Sequence, residues 1–192
     1  MAVTLNVKFV TQLGIGGHVA NATPRDDPTG CWYASACMVA YYFEAGPRHG
    51  VPEIFKRDLG GGLLGHYATG SGPANHLSAN HHDLLAQREH LEPVPNCATA
   101  HIYTHDELEE LLRKRGPIFL YWMKTHGADT YGHASVIIGA DTSGIIYHDP
   151  ENAPNSRMSI GQFNTVRQKW KYAMMQRKAE GGVAARRRMF GG

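Results

Sequence analysis

The sequence predicts an α+β domain in which helical segments come first and an antiparallel sheet follows. Three observations carry this expectation. Trp32, Ala36, Val39 and Phe43 recur at the spacing of one helical face within Cys31 to Ala45. Ile118 to Met123, His133 to Ala140 and Ile145 to His148 are short apolar runs of strand length. Asp141 to Gly144 supplies turn residues between the last two runs, which makes them antiparallel neighbours.

Taken in order, Asn6 to Val10 alternates polar and apolar residues and predicts a short strand. Gly14 to Gly30 is rich in Gly, Asn, Asp and Pro and reads as a loop. The helix that begins at Cys31 carries apolar residues on its other faces too (Met38, Tyr42), so it is expected at the centre of the core, and Gly46 and Pro47 stop it. Arg48 to Asn80 has many glycines and little periodicity, with one short helix near Pro52 to Arg57, and His81 to His90 predicts another. Thr104 and Glu107 have the spacing of a capping box, which opens a helix to about Arg115, ended by Gly116 and Pro117. Ser159 and Gln162 suggest a second cap for a short helix to Trp170, and Lys171 to Gln176 is expected to close the sheet. Residues 1–178 are expected to form one domain, with 179–192 a flexible basic tail around Arg186, Arg187 and Arg188.

A chain of 192 residues is long enough to bury a real core. Its net charge of +2 gives no reason to expect a nucleic-acid or membrane partner. No stretch has the length of apolar residues a membrane span needs, and Met1 to Val10 lacks the basic start and apolar run of a Sec-type signal peptide. The expectation is a soluble protein, cytoplasmic as produced, with a specialised secretion route or excision from a longer precursor left open. Cys31, Cys37 and Cys97 are odd in number and widely spaced, so they make neither a disulfide framework nor a zinc pattern.

Cys31 begins a helix directly after a loop. The N–H groups of a first helical turn favour a thiolate, which suits a nucleophile. Such a thiolate needs a base, and the base needs an orienting acceptor. His133 opens one apolar strand and Asp149 ends the next, so the turn-linked pairing brings them to the same edge of the sheet. His148 is a competing base, but adjacent strand residues face opposite ways, so His148 and Asp149 do not share a cleft. His126, in a Gly-containing loop, ranks after His133. Asn152 and Asn155 are alternatives to Asp149 as orienter.

The segment Gly30-Cys31-Trp32-Tyr33-Ala34-Ser35-Ala36-Cys37-Met38-Val39 resembles the nucleophile helix of papain-like cysteine proteases of the bacterial effector kind, and also that of bacteriocin-processing peptidases. Gly-His-Ala-Ser-Val-Ile-Ile-Gly and His-Asp-Pro resemble their other two catalytic segments, in the same order, and the likeness spans roughly Gln12 to Trp170. It implies a papain-like fold with the nucleophile on a core helix packed against a C-terminal sheet. It further implies Cys31 as nucleophile, His133 as base, Asp149 as orienter and Gln12 in the oxyanion hole, with Asn21 a distant alternative to Gln12. The long loop Gly14 to Gly30 departs from the shorter link usual in these families.

The implied activity is proteolysis through a thioester, by an effector or toxin domain whose partners are a protein or peptide substrate and a cognate immunity or delivery protein. The same triad would also serve an amidase, a deamidase or an acyltransferase. A different class is a metal-binding module built on His76, His81, His82, His90 and His101, whose spacing matches no zinc pattern. A third is a binding domain with a dead site, against which the intact Cys, His and Asp argue. No metal or cofactor is called for.

Overall fold

The computed structural model describes residues 2–12, 31–43 and 79–178. In chain order these form β1 (Val3–Thr4), α1 (Cys31–Phe43), α2 (Ala79–Arg88), β2 (Leu91–Pro93), α3 (His105–Arg115), β3 (Ile118–His126), β4 (Asp129–Asp141), β5 (Gly144–His148), β6 (Ser156–Met158), α4 (Ile160–Val166) and β7 (Met174–Arg177). The strands make one antiparallel sheet in the order β2-β7-β3-β4-β5-β6, with β1 paired to β4. The predicted α+β class is what the chain adopts. The possible helix near Pro52 to Arg57, the loop Gly14 to Gly30 and the tail from residue 179 lie outside the described residues.

The β3–β4 hairpin is the longest pairing, running from Ile118↔Ile137 to His126↔Asp129 around a two-residue turn. Gly127 takes φ 62 at the first turn position, a sign that two-residue hairpins require there. Because side chains alternate across a strand, Ile118, Leu120 and Trp122 belong to one core cluster and Phe119 to the other. Helices cover both faces. On one, Trp32, Met38 and Val39 of α1 and Leu85 of α2 pack with Phe119, Ala134, Val136 and Ile138. On the other, Leu108 and Leu112 of α3 and Phe163 of α4 pack with Leu120, Trp122, Ile137 and Tyr147. From Ala34 to Ala40 every residue of α1 is buried, as its all-round apolar sequence predicted.

The caps are also as read. Thr104 accepts from the Glu107 N–H while the Glu107 carboxylate accepts from the Thr104 N–H, and Ser159 accepts from the Gln162 N–H. Three differences in the boundaries bear on the site. Asn6 to Val10 is not a strand: β1 is Val3–Thr4, and after Leu5 donates to Ile138 O the chain turns, with the Val7 N–H on Leu5 O, and leaves the sheet. The helix after Ser159 ends at Val166, not Trp170, because Arg167 turns extended (ψ 140) and buries its guanidinium against the carbonyls of Cys97, Thr99 and His101. β4 begins at Asp129, four residues before His133, because its polar first residues pair with the equally polar end of β3.

The β4–β5 turn is closed by Asp141, whose Oδ1 accepts from the N–H groups of Ser143 and Gly144. Gly144 has φ 152, and a Cβ there would lie 2.1 Å from Met158 O. Gly144→Ala is therefore expected to destabilise the fold by more than about 1 kcal/mol, since the opposing atom is backbone and cannot swing away. A denaturant midpoint equal to that of the parent chain would refute this reading of the turn.

Candidate active site

β5 ends at His148, opposite Val136 of β4. β4 runs on past it, so on that side its residues 129–135 form a sheet edge among the described residues. His133 stands on this edge, paired across β3 with Trp122, whose ring lies 5.8 Å away edge-on. Asp149 follows β5 immediately and enters a turn in which its carbonyl accepts from Asn152 and its N–H donates to Ala153 O. That turn brings the Asp149 Oδ1 to 2.7 Å from His133 Nε2. Both side chains are buried.

Cys31, the first residue of α1, comes from the opposite core layer. Its thiol is nonetheless near enough to the His133 ring to favour the protonated imidazole. The open edge of β4 is where groups from the two faces can meet. With Nε2 engaged by Asp149, Nδ1 is the ring nitrogen left for sulfur.

The buried pair is not alone. Lys124, on the same face as Trp122 and His133, places Nζ 2.7 Å from Asp149 Oδ2 and 2.6 Å from Glu151 Oε2. The Tyr131 hydroxyl donates to the Glu151 carboxylate at 2.7 Å, and Glu151 N–H donates to Asp149 Oδ1 at 3.0 Å. Burial alone would push the His133 ring toward neutrality, but its bond to Asp149 and the influence of Cys31 outweigh that and raise its pKa to about 9. Burial likewise disfavours the Asp149 carboxylate, yet His133 and Lys124 hold its pKa down to about 2. Burial and the bond to Glu151 raise the Tyr131 hydroxyl, which remains a proton donor. His133, Asp149 and Glu151 have ligand atoms within 4.8 Å of one another, a spacing that could suit a metal ion. The Lys124 ammonium already lies between the two carboxylates, so their charge is met without one.

The remaining sequence candidates fall as follows. His148 donates from Nε2 to Val7 O and accepts the Asn155 N–H at Nδ1, with burial lowering its pKa; it is a neutral staple between the N-terminal segment and the turn after β5. His126 is exposed at the hairpin tip and ends β3 rather than sitting in a loop. Asn152 and Asn155 are both exposed, and the carboxylate on the His133 ring is that of Asp149. Gln12 is buried, and its N–H donates to Pro150 O, which sets it beside the turn carrying Asp149. Asn21 and His76 lie outside the described residues. His82 is packed among Tyr121, Trp170 and Tyr172, and His101 bonds Glu107, so neither joins a metal-type cluster among the described residues.

Sequence reasoning missed Lys124, Tyr131 and Glu151. A signal for Lys124 was present: it continues the alternation Ile118, Leu120, Trp122, which points it inward. Glu151 and Tyr131 carried none, since a turn residue and a half-exposed strand residue read as ordinary surface.

A family model described as papain-like cysteine protease AvrRpt2 matches residues 17–168. The chain belongs to this family, that of a bacterial effector, and is accordingly a papain-like cysteine protease, a hydrolase. Among the described residues no helix is long and apolar enough to cross a membrane.

The charge cluster gives stability a defined pH dependence. The His133 contribution is fully present below the unfolded value of 6.5 and is lost as pH rises through about 9. The Asp149 contribution is present above its unfolded value of 3.8 and is lost as pH falls through about 2. Denaturant midpoints should therefore decline on both sides of a plateau between roughly pH 4 and 6.5. Midpoints that stay level from pH 6.5 to 9 would contradict the His133 assignment.

Proposed function

We propose that the chain cleaves peptide bonds with Cys31 as nucleophile, His133 as proton carrier and Asp149 as the group that orients His133. The observation that carries this reading is a buried imidazole that bonds a carboxylate through Nε2, with the thiol of a helix-start cysteine close enough to act on its charge. The Cys31 thiolate attacks the scissile carbonyl, and the imidazolium gives its proton to the leaving amine as the C–N bond breaks. Water, losing a proton to His133, then attacks the thioester; the acid product leaves and the thiolate–imidazolium pair is restored. Asp149 holds the ring and stabilises the imidazolium. Gln12, buried beside the Asp149 turn, is our candidate for the side-chain donor to the oxyanion, together with the Cys31 N–H.

We assign this activity to one domain spanning residues 1–178, a reading supported by a sheet that takes strands from both Val3–Thr4 and Met174–Arg177. Membership of an effector family supports delivery into another cell, where the substrate is a host or rival-cell protein. An amidase, deamidase or acyltransferase would share the thioester and differ only in what enters or leaves. Mass spectrometry of a lysate treated with the parent chain or Cys31→Ala separates them: new peptide termini mean proteolysis, whereas a Gln-to-Glu mass change or a transferred acyl group would displace it.

Cys31 is expected to react with iodoacetamide far faster than Cys37 or Cys97 at pH near 6. Equal rates would remove the nucleophile assignment. Asp149→Asn should lower turnover by on the order of 100-fold, less than Cys31→Ala or His133→Ala, and should move the alkaline limb of the pH profile below about 9, since the ring loses its anionic partner. Full activity in Asp149→Asn, with collapse in Asn152→Ala or Asn155→Ala, would transfer the orienting role.

A further inference from the structure

The Lys124 side chain is buried at the end of a strand whose apolar row it continues. A lysine here makes no contribution that an apolar residue of similar volume would not make better to packing alone. Its ammonium instead spans two carboxylates, 2.7 Å from Asp149 Oδ2 and 2.6 Å from Glu151 Oε2. The two Asp149 oxygens are thereby divided: Oδ2 belongs to Lys124, and Oδ1 serves His133 Nε2 and the Glu151 N–H. Glu151 is itself tied by the Tyr131 hydroxyl, and Tyr131 pairs with Lys124 across the β3–β4 hairpin. The second carboxylate also reaches toward the reacting side of the ring, with Glu151 Oε2 3.9 Å from His133 Nδ1.

We propose that Lys124 is a positioning residue for the reaction: an internal cation, held by Glu151 and Tyr131, that presents Asp149 to His133 and limits how strongly the acidic groups bind the imidazolium proton. This rests on the triad reading above. Among the described residues, the titratable and charged groups around His133 are the Cys31 thiol from α1, Lys124 from β3, Tyr131 from β4 itself, and Asp149 and Glu151 from the turn after β5. Only one of these neighbours is a cation. Without it the described neighbours of the ring would be acids alone, and the ring would hold its proton too tightly to release it readily to a leaving amine. Lys124 touches no reacting atom and acts through Asp149.

The two sides of this balance give opposite signs when removed. Lys124→Met takes away the cation and should raise the His133 titration midpoint by about one pH unit. Glu151→Gln keeps the shape and the Tyr131 contact, removes an anion near Nδ1 and leaves Lys124 wholly to Asp149, so the midpoint should fall. Nuclear magnetic resonance titration of the histidine rings in the full chain, with His133→Ala to assign the signal, reads this directly. The alkaline step in the rate of Cys31 alkylation by iodoacetamide should move in the same directions. A role in folding alone would lower the unfolding midpoint of Lys124→Met and leave the His133 titration of the folded protein where it was; that result, or a downward move, overturns the proposal. Should Lys124→Met fail to fold, Glu151→Gln decides, an unmoved or raised midpoint counting against it. The triad reading fails separately, by slow alkylation of Cys31 in the parent chain or by an alkylation profile that His133→Ala leaves unchanged.

Discussion

A carboxylate that is wholly out of water must be answered by its surroundings. Asp149 is in that position, with no exposed surface. An isolated buried anion would cost many kcal/mol and would take up a proton instead. Here it keeps its charge because a ring N–H, an ammonium and a backbone N–H converge on its two oxygens. Much of the local architecture follows from meeting that demand. β5 stops at His148, the chain turns at once, β3 extends far enough to bring Lys124 across, and β4 extends far enough to bring His133 alongside.

The same length of hairpin solves a second problem. α1 and the His133–Lys124 row belong to different faces of the sheet. A thiol on one face and an imidazole on the other cannot meet through a continuous sheet. Among the described residues, the stretch of β4 that β5 leaves uncovered is the edge around which they can approach each other. An uncovered strand edge is ordinarily a liability for a folded chain, because its unpaired groups invite another strand. The same unpaired groups can also take an extended peptide as an added strand.

His148 shows how closely the supporting parts are arranged around this edge. Adjacent to Asp149 in sequence and opposite in direction, it anchors the N-terminal segment through Val7 and the far side of the turn through Asn155. Gln12 enters through that anchored segment, by way of Pro150. The histidine that acts as a structural staple is held neutral by burial, while fifteen residues earlier His133, buried to a similar degree, is held protonated by an anion. Burial alone turns an imidazole neutral; an anionic partner reverses that.

Local chemistry was legible in the sequence. The buried helix from Cys31, the capping box at Thr104 and Glu107, the second cap at Ser159, the turn at Asp141 and the antiparallel order of the last strands all depend on residues within a few positions of one another. So did the meeting of His133 with Asp149, because a tight turn between adjacent strands leaves little freedom in where their ends lie. What the sequence by itself did not determine is anything that depends on length of pairing or on burial of charge. The true start of β4 was hidden because its polar residues pair as well as apolar ones do. Asn6 to Val10 has the alternation of a strand, but the chain leaves the sheet at Leu5, and alternation cannot report whether a partner is there. Arg167 and Glu151 look like surface residues in a linear chain, and the alternation that points Lys124 inward does not say what it meets there. Only the tertiary structure supplied their partners, because those partners come from distant segments that are brought together only when the fold forms.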